Sequence, residues 1–280
     1  QAQTSSRMLL RARLLAPLYT ACVAGRRRPP AFMAAAGHYA VVSDVYETAW
    51  CYQNDGAFQS WLLKKVQESL PAKCLSVADV GCGTGNFSGA LQKAMGVRVV
   101  GVEPSAEMAA KAVDYGVKVE VADALTWAEA AEDDTERFDA VLMKEVRHHI
   151  DDPASLYEKL ATRLSPGGRI LLLTRPDESQ GYPFPPAAHK HWSAGVLLPL
   201  KAHEEALARA GLRVTVREER YHVQMRRDEW ERLVRQRFWS HLRNLTDNEV
   251  EDGLRELALP EDVHFEDRMM FVMAELASSE

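Results

Sequence analysis

The sequence predicts an α/β protein built on a doubly wound parallel sheet with helices on both faces. Three observations carry this. Short apolar runs alternate with helical stretches from residue 74 to residue 174, and alternation at that spacing makes βαβ units whose parallel strands are buried on both sides. The first strand runs into "GCGTGNF", Gly81 to Phe87, a glycine loop that opens a helix. Acidic residues close three consecutive strands, Asp79, Glu103 and Asp123, and the carboxyl ends of strands are where such sheets hold ligands.

The elements follow in order. Phe58, Trp61, Leu62 and Val66 recur at helical spacing up to Leu70, and Pro71 stops that helix. Strands are predicted at Cys74–Val80, Val97–Val102, Val117–Val121, Phe138–Met143 and Arg169–Thr174. Helices are predicted between them at Phe87–Met95, Ala106–Tyr115, Thr126–Ala131 and Pro153–Leu164. Further on, "LRVTVREERYHVQM" and "HFEDRMMFVMAEL" alternate as strands do. Between them lie two helical candidates, "RDEWERLVRQRFWSHLRN" and "TDNEVEDGLREL". The second opens with Thr246 and Glu249 at capping-box spacing. "GYPFPPAAHKHW", rich in proline and aromatics, is expected to form a rigid substrate loop.

Composition narrows the function. With 280 residues, 46% hydrophobic and 26% charged, the chain is expected to be soluble and has length for one large domain or two small ones. Its 34 basic and 40 acidic residues give −6, no general reason to bind nucleic acid. Residues 1–43 carry six arginines and no acid, leaving 28 basic against 40 acidic residues, or −12, for the rest. An acid-free, arginine-rich start fits an organelle presequence (mitochondrial or plastid), with a disordered extension or a secretory signal as alternatives. Without a presequence the expected location is cytoplasmic. Gln1 is not an initiator, whereas Met8 and Met33 are possible starts. No run of about 18 apolar residues predicts a spanning helix. Cys22, Cys51, Cys74 and Cys82 form no C-x-x-C pair, which favours reduced thiols over disulfides or zinc.

The glycine loop selects its ligand. Gly81, Gly83 and Gly85 give G-x-G-x-G, and Asn86 stands where a dinucleotide fingerprint wants its last glycine. Asp79, two residues before the first glycine, repels a pyrophosphate and attracts an ammonium or sulfonium group. Glu103 follows 24 residues later, about where such folds place a carboxylate on ribose hydroxyls. Asp123 is placed to accept from an adenine amino group. A single acid at a strand end is ordinarily just solvated; three in succession beside a glycine loop point to a site.

The run Asp79–Gly85, then Glu103, Asp123, "FDAVLMKEVRHHI" and "LSPGGRILLL" resembles the class I S-adenosylmethionine-dependent methyltransferases, specifically the small-molecule type 11 group, over residues 74–175. The resemblance implies a Rossmann-like seven-stranded sheet with its last strand antiparallel, and S-adenosyl-L-methionine as cofactor. It implies that Asp79 with the loop residues Gly81, Cys82, Gly83 and Gly85 holds the methionine part. Glu103 then takes the ribose, Asp123 the adenine amine, and Pro104 and Ala124 flank the ring, with Lys144 also at the site. An insertion between the final strands suits a substrate lid, placed at 226–258 within a methyltransferase domain spanning 44–280.

Methyl transfer from a sulfonium expels a neutral thioether, so the protein mainly aligns a nucleophile with the methyl group. A protonated acceptor also needs a base. His148, His149 and Glu145 follow the fourth strand and are the candidates, although a double histidine there equally suits a structural role. Two adjacent histidines without a third ligand predict no metal. Lys144, Arg147, Arg175, Arg237 and Arg243, with Phe238 and Trp239, would suit a carboxylate-bearing substrate, against the ordinary reading of solvated or acid-paired cations. Tyr46, among Tyr39, Trp50 and Tyr52, is expected to reach the substrate or cover the cofactor, where core packing is the plainer role. Two functions follow: methyl transfer to O, S or N of a small metabolite, or a cofactor-binding domain with a regulatory or assembly role. A nicotinamide-dependent dehydrogenase is opposed by Asn86 and Asp79; nucleic-acid and protein methylation are disfavoured by the acidic body.

Overall fold

A computed structural model describes residues 56–130, 136–179, 181–196 and 198–276. The arginine-rich segment 1–43 and Tyr46 lie outside the described residues. Seven strands form one sheet in the order β3-β2-β1-β4-β5-β7-β6. They are β1 (Ser76–Val80), β2 (Arg98–Val102), β3 (Lys118–Glu120), β4 (Phe138–Lys144), β5 (Leu164–Thr174), β6 (Leu212–Arg226) and β7 (Asp262–Leu276). β1 to β5 are mutually parallel, and β7 runs antiparallel to both neighbours, β5 and β6. This is the seven-stranded sheet with an antiparallel last strand.

The helices are α1 (Gly56–Ser69), α2 (Asn86–Met95), α3 (Ala106–Ala112), α4 (Ala124–Glu129), α5 (Pro153–Thr162), α6 (Pro186–Gly195), α7 (Leu200–Arg209), α8 (Arg227–Arg235) and α9 (Asp247–Leu257). Period-two alternation along the central strands feeds two cores. Val77, Ala140, Leu142, Leu171 and Leu173 face one way with residues of α1, α2, α6, α8 and α9. Ala78, Val80, Val141, Met143, Ile170 and Leu172 face the other with residues of α4, α5 and α7. Each such fully buried Val or Leu side chain contributes about 1.5–3 kcal/mol.

Two expectations need correction, and one helix lies where the sequence analysis places none. "GYPFPPAAHKHW" is not a rigid loop throughout: from Pro186 on it is helix α6, with the proline in the first turn, where its missing N–H is no loss. The stretch 227–244 is not one helix. Arg237 takes the left-handed conformation, φ 52, so α8 stops at Arg235 and a short 3-10 turn, Ser240–Leu242, follows. α7 was not foreseen, although Leu200, His203 and Leu207 are buried at helical spacing. The predicted capping box is present: Thr246 and Glu249 satisfy each other's backbone at the start of α9.

Candidate active site

Strand order reverses between β1 and β4, since β1 pairs with β2 on one side and β4 on the other. In such sheets the crevice opens at the carboxyl ends of those two strands. Asp79 sits one residue before the end of β1, and Glu145 directly follows β4.

The glycine loop is shaped by clashes as much as by flexibility. Gly81 has φ 79, and a Cβ there would stand 2.3 Å from Val146 Cγ1 on the β4 loop. Gly85, φ 75, caps α2 and would strike Ala112 at 2.5 Å. Only glycine permits both the left-handed backbone and the close approach. Cys82 is a small packing residue: its Sγ lies 2.5 Å from where a Cβ on Gly101 would be. Burial, with Asp79 and Glu103 nearby, pushes its thiol well above the usual range, so it is not a reactive thiolate.

Asp79 is 1% exposed. Ser88 Oγ donates to its Oδ2 at 2.5 Å, and its Oδ1 is buried without a hydrogen-bond partner. Desolvation raises its pKa, opposed by the Ser88 hydrogen bond and the charge of Lys144. Lys144 closes β4 and lies 5.5 Å from the Phe87 ring centroid. A buried carboxylate oxygen without a donor is costly, and a ligand ammonium is the kind of group that satisfies it.

Glu103 is 6% exposed. The backbone N–H groups of Gly83 and Ser105 each donate to its carboxylate at 2.9 Å, which ties the end of β2 to the glycine loop. Burial raises its pKa most, and those two hydrogen bonds pull it back. Pro104 beside it is exposed. Asp123 is the N-cap of α4: its Oδ1 accepts from the N–H of Leu125 and Thr126, and its Oδ2 from Thr126 Oγ1 at 2.6 Å. The half-buried Ala124 starts that helix.

Beyond β4, Arg147, His148 and His149 form a 3-10 turn. The two imidazoles lie 3.9 Å apart between centroids. Burial first, then the charge of Arg147, pulls His148 down to about 4, so it is neutral at neutral pH. Glu145 has φ 58, a left-handed conformation that costs a non-glycine residue about 1–3 kcal/mol. Its Oε1 is buried without a hydrogen-bond donor, with Arg175 Nε 3.6 Å away.

Three of the arginines expected to anchor a substrate carboxylate, Arg147, Arg175 and Arg237, meet an acid of the chain itself. Arg147, 6% exposed, donates to Asp177 Oδ1 at 2.5 Å, to Thr174 Oγ1 at 3.1 Å and to main-chain carbonyls of Arg175 and Leu198. It is a clamp between loops. Arg237 donates to Asp247 Oδ1 at 2.5 Å and to the carbonyls of Arg235 and Leu245, fastening the break after α8. Arg175 pairs with the fully buried Asp267, and its guanidinium lies 5.5 Å from the Trp239 ring centroid. Trp239 is buried among Tyr182, Phe184, Phe238 and Trp192. Tyr182 donates its O–H to Asp267 at 3.0 Å. Ser88, Val146, Tyr182 and Asp267 were not anticipated. Asp267 had a signal, for it interrupts Val263, Phe265, Met269 and Phe271 on the buried side of β7. Among the described residues no group of three or more His, Cys, Asp or Glu side chains is placed to hold a metal, and no helix is long and apolar enough to cross a membrane.

The family described as "Methyltransferase domain" matches residues 36–238, well over half of the chain. The chain belongs to the class I S-adenosylmethionine-dependent methyltransferases. Among similar curated methyltransferases is the ubiquinone biosynthesis O-methyltransferase of Alkalilimnicola ehrlichii, 32% identical over 122 residues, covering 40% of this chain and 49% of that protein. That of Chelativorans sp. is 35% identical over 108 residues, covering 37% and 42%. The match thus spans about half the length of these relatives or less. Among solved structures, a phosphoethanolamine N-methyltransferase 2 of Haemonchus contortus with bound S-adenosyl-L-methionine superposes with TM-score 0.55 at 19% identity, covering 85% of this chain and 57% of that one. The [4+2]-cyclase SpnF superposes with TM-score 0.56 at 14% identity, covering 88% and 96%. Identities this low establish the methyltransferase fold alone. The residues present fit the family's cofactor: Asp79 Oδ1, buried without a hydrogen-bond partner, lies beside a glycine loop in which Gly81 and Gly85 leave no room for a Cβ.

Proposed function

We propose that this chain transfers a methyl group from S-adenosylmethionine to a small organic acceptor, with oxygen as the first atom to test and nitrogen or sulfur next. The observation that carries the reading is Asp79 Oδ1, a buried carboxylate oxygen without a donor at the switch point of the sheet. When bound, the cofactor supplies an electrophilic methyl group on a sulfonium. Asp79 would accept from its ammonium group, Glu103 from its ribose hydroxyls, and Asp123 from the adenine amine while keeping its cap. Pro104 and Ala124 would border the ring, and Lys144 would balance Asp79. The helical insertion of α8 and α9 between β6 and β7 would act as a lid with α6. His148, His149 and Glu145 line the loop after β4, where an acceptor proton would be taken up. His148, neutral but held at about 4, is a weak base, since proton acceptors work best with a pKa near the working pH. Oxygen comes first because the curated relatives are O-methyltransferases by name.

The second reading, a cofactor-binding domain without transfer, has one observation behind it: this fold also serves a protein described as a [4+2]-cyclase. The two separate in one assay. Release of S-adenosylhomocysteine is measured over a panel of hydroxyl, amine and thiol acceptors, with Asp79→Ala as control. Acceptor-dependent release abolished by Asp79→Ala supports transfer. Cofactor binding with no release on any acceptor supports the second reading.

A further inference from the structure

Among the described residues, two side-chain oxygens are buried without a hydrogen-bond partner: Asp79 Oδ1 and Glu145 Oε1. They stand at the carboxyl ends of the two strands that flank the switch point. The first is accounted for by the cofactor's ammonium. The second is not accounted for by anything in the proposed cofactor site.

We infer that Glu145 is the acceptor-recognition group, and that the acceptor presents a hydrogen-bond donor, an amine or a hydroxyl, rather than a carboxylate. This rests on the methyltransferase reading above. Three features argue for it. Glu145 holds a left-handed backbone, φ 58, and strain of that kind persists where the surroundings fix a residue for use. Its carboxylate forms a long ion pair but no hydrogen bond, because Arg175 sits closer to Asp267 and leaves its Nε 3.6 Å from Glu145 Oε1. Asp267 is fixed in turn by the Tyr182 hydroxyl, which also accepts from the N–H of Arg268 at 3.0 Å. Arg175, Asp267 and Tyr182 are therefore positioning residues. Arg175, shared between the carboxylates of Glu145 and Asp267, is already committed, which leaves Glu145 to favour a cationic or neutral donor over a carboxylate. Two further arginines that would have welcomed a carboxylate, Arg147 and Arg237, are engaged by Asp177 and Asp247.

The test is a titration of the full chain loaded with S-adenosylhomocysteine against three probes of one shape: benzylamine, benzyl alcohol and benzoate, followed by ligand-observed NMR. Benzylamine and benzyl alcohol are expected to bind and benzoate not to. Glu145→Gln, nearly isosteric, should weaken benzylamine at least about tenfold, the scale of a hydrogen bond to a charged group, while affinity for S-adenosylhomocysteine stays unchanged. Benzoate binding more tightly than benzylamine, no binding of either donor probe, or unchanged benzylamine affinity in Glu145→Gln overturns the assignment and leaves the methyltransferase reading standing. Absence of S-adenosylhomocysteine binding overturns that reading, and the assignment with it.

Discussion

The two halves of the sheet's carboxyl edge are built differently. On the side of β1 to β3, the polar groups come from short loops and helix starts: the Gly83 N–H bound to Glu103, the Asp123 cap, and Asp79 with one oxygen satisfied by Ser88. On the side of β4 to β7 they form a buried side-chain network that reaches far along the chain, from Glu145 through Arg175 to Asp267 and Tyr182. The first half leaves one buried carboxylate oxygen without a donor, where we propose that the cofactor binds. In the second half Arg147 and Arg175 pair with acids of the chain, and Glu145 Oε1, left without a hydrogen bond, is the group we propose for the acceptor.

The comparison is broken most severely if Asp267 can be removed at little cost. Asp267→Ala removes the close partner of the buried Arg175, and losing one partner of a buried pair costs about 3–5 kcal/mol. Chemical denaturation should show a loss of that size. A loss under about 1 kcal/mol, the worth of an exposed pair, would mean that the network is peripheral.

Acid should weaken the second half next. Burial holds His148 and His203 down at about 4 and His241 at about 3, against about 6.5 in an unfolded chain. The unfolded chain therefore binds more protons in that window, so stability is full above about pH 6.5 and is lost as pH falls through the folded values. Asp79, whose pKa is raised, has the opposite sign: its contribution is greatest below about 3.9 and is lost as pH rises. Melting temperature followed from about pH 7 to about pH 4.5 should fall, and fall less in His148→Asn; a flat profile contradicts neutral buried imidazoles.

A smaller effect sharpens the role of Glu145. Glu145→Gly relieves the left-handed backbone and should raise stability by about 1 kcal/mol, with cofactor affinity kept and acceptor turnover lost. A destabilised variant would show that the carboxylate serves folding.

How much of this was legible follows from how local each interaction is. The strands of the first half, with Asp79, Glu103 and Asp123 at or just past their ends, are written in short alternating runs. The cap of Asp123 is local as well, two and three residues ahead of it. Arg147 and Arg237 suit a substrate by charge type, but the acids they meet are chosen by tertiary folding: Asp177 lies thirty residues on and Asp247 ten. Charge type alone does not say whether a cation faces a ligand or an acid of its own chain. α6 was hidden by its prolines, which stop a helix in the interior yet suit its first turn.

The central claim is that Asp79 and the glycine loop hold the methionine part of the cofactor. Calorimetric titration of the full chain and of Asp79→Asn with S-adenosylhomocysteine, with NADH alongside, tests it most directly. The account predicts binding in about the micromolar range for the unaltered chain, none for Asp79→Asn, and none of NADH to either. Equal affinity in Asp79→Asn, or binding of NADH alone, would contradict it.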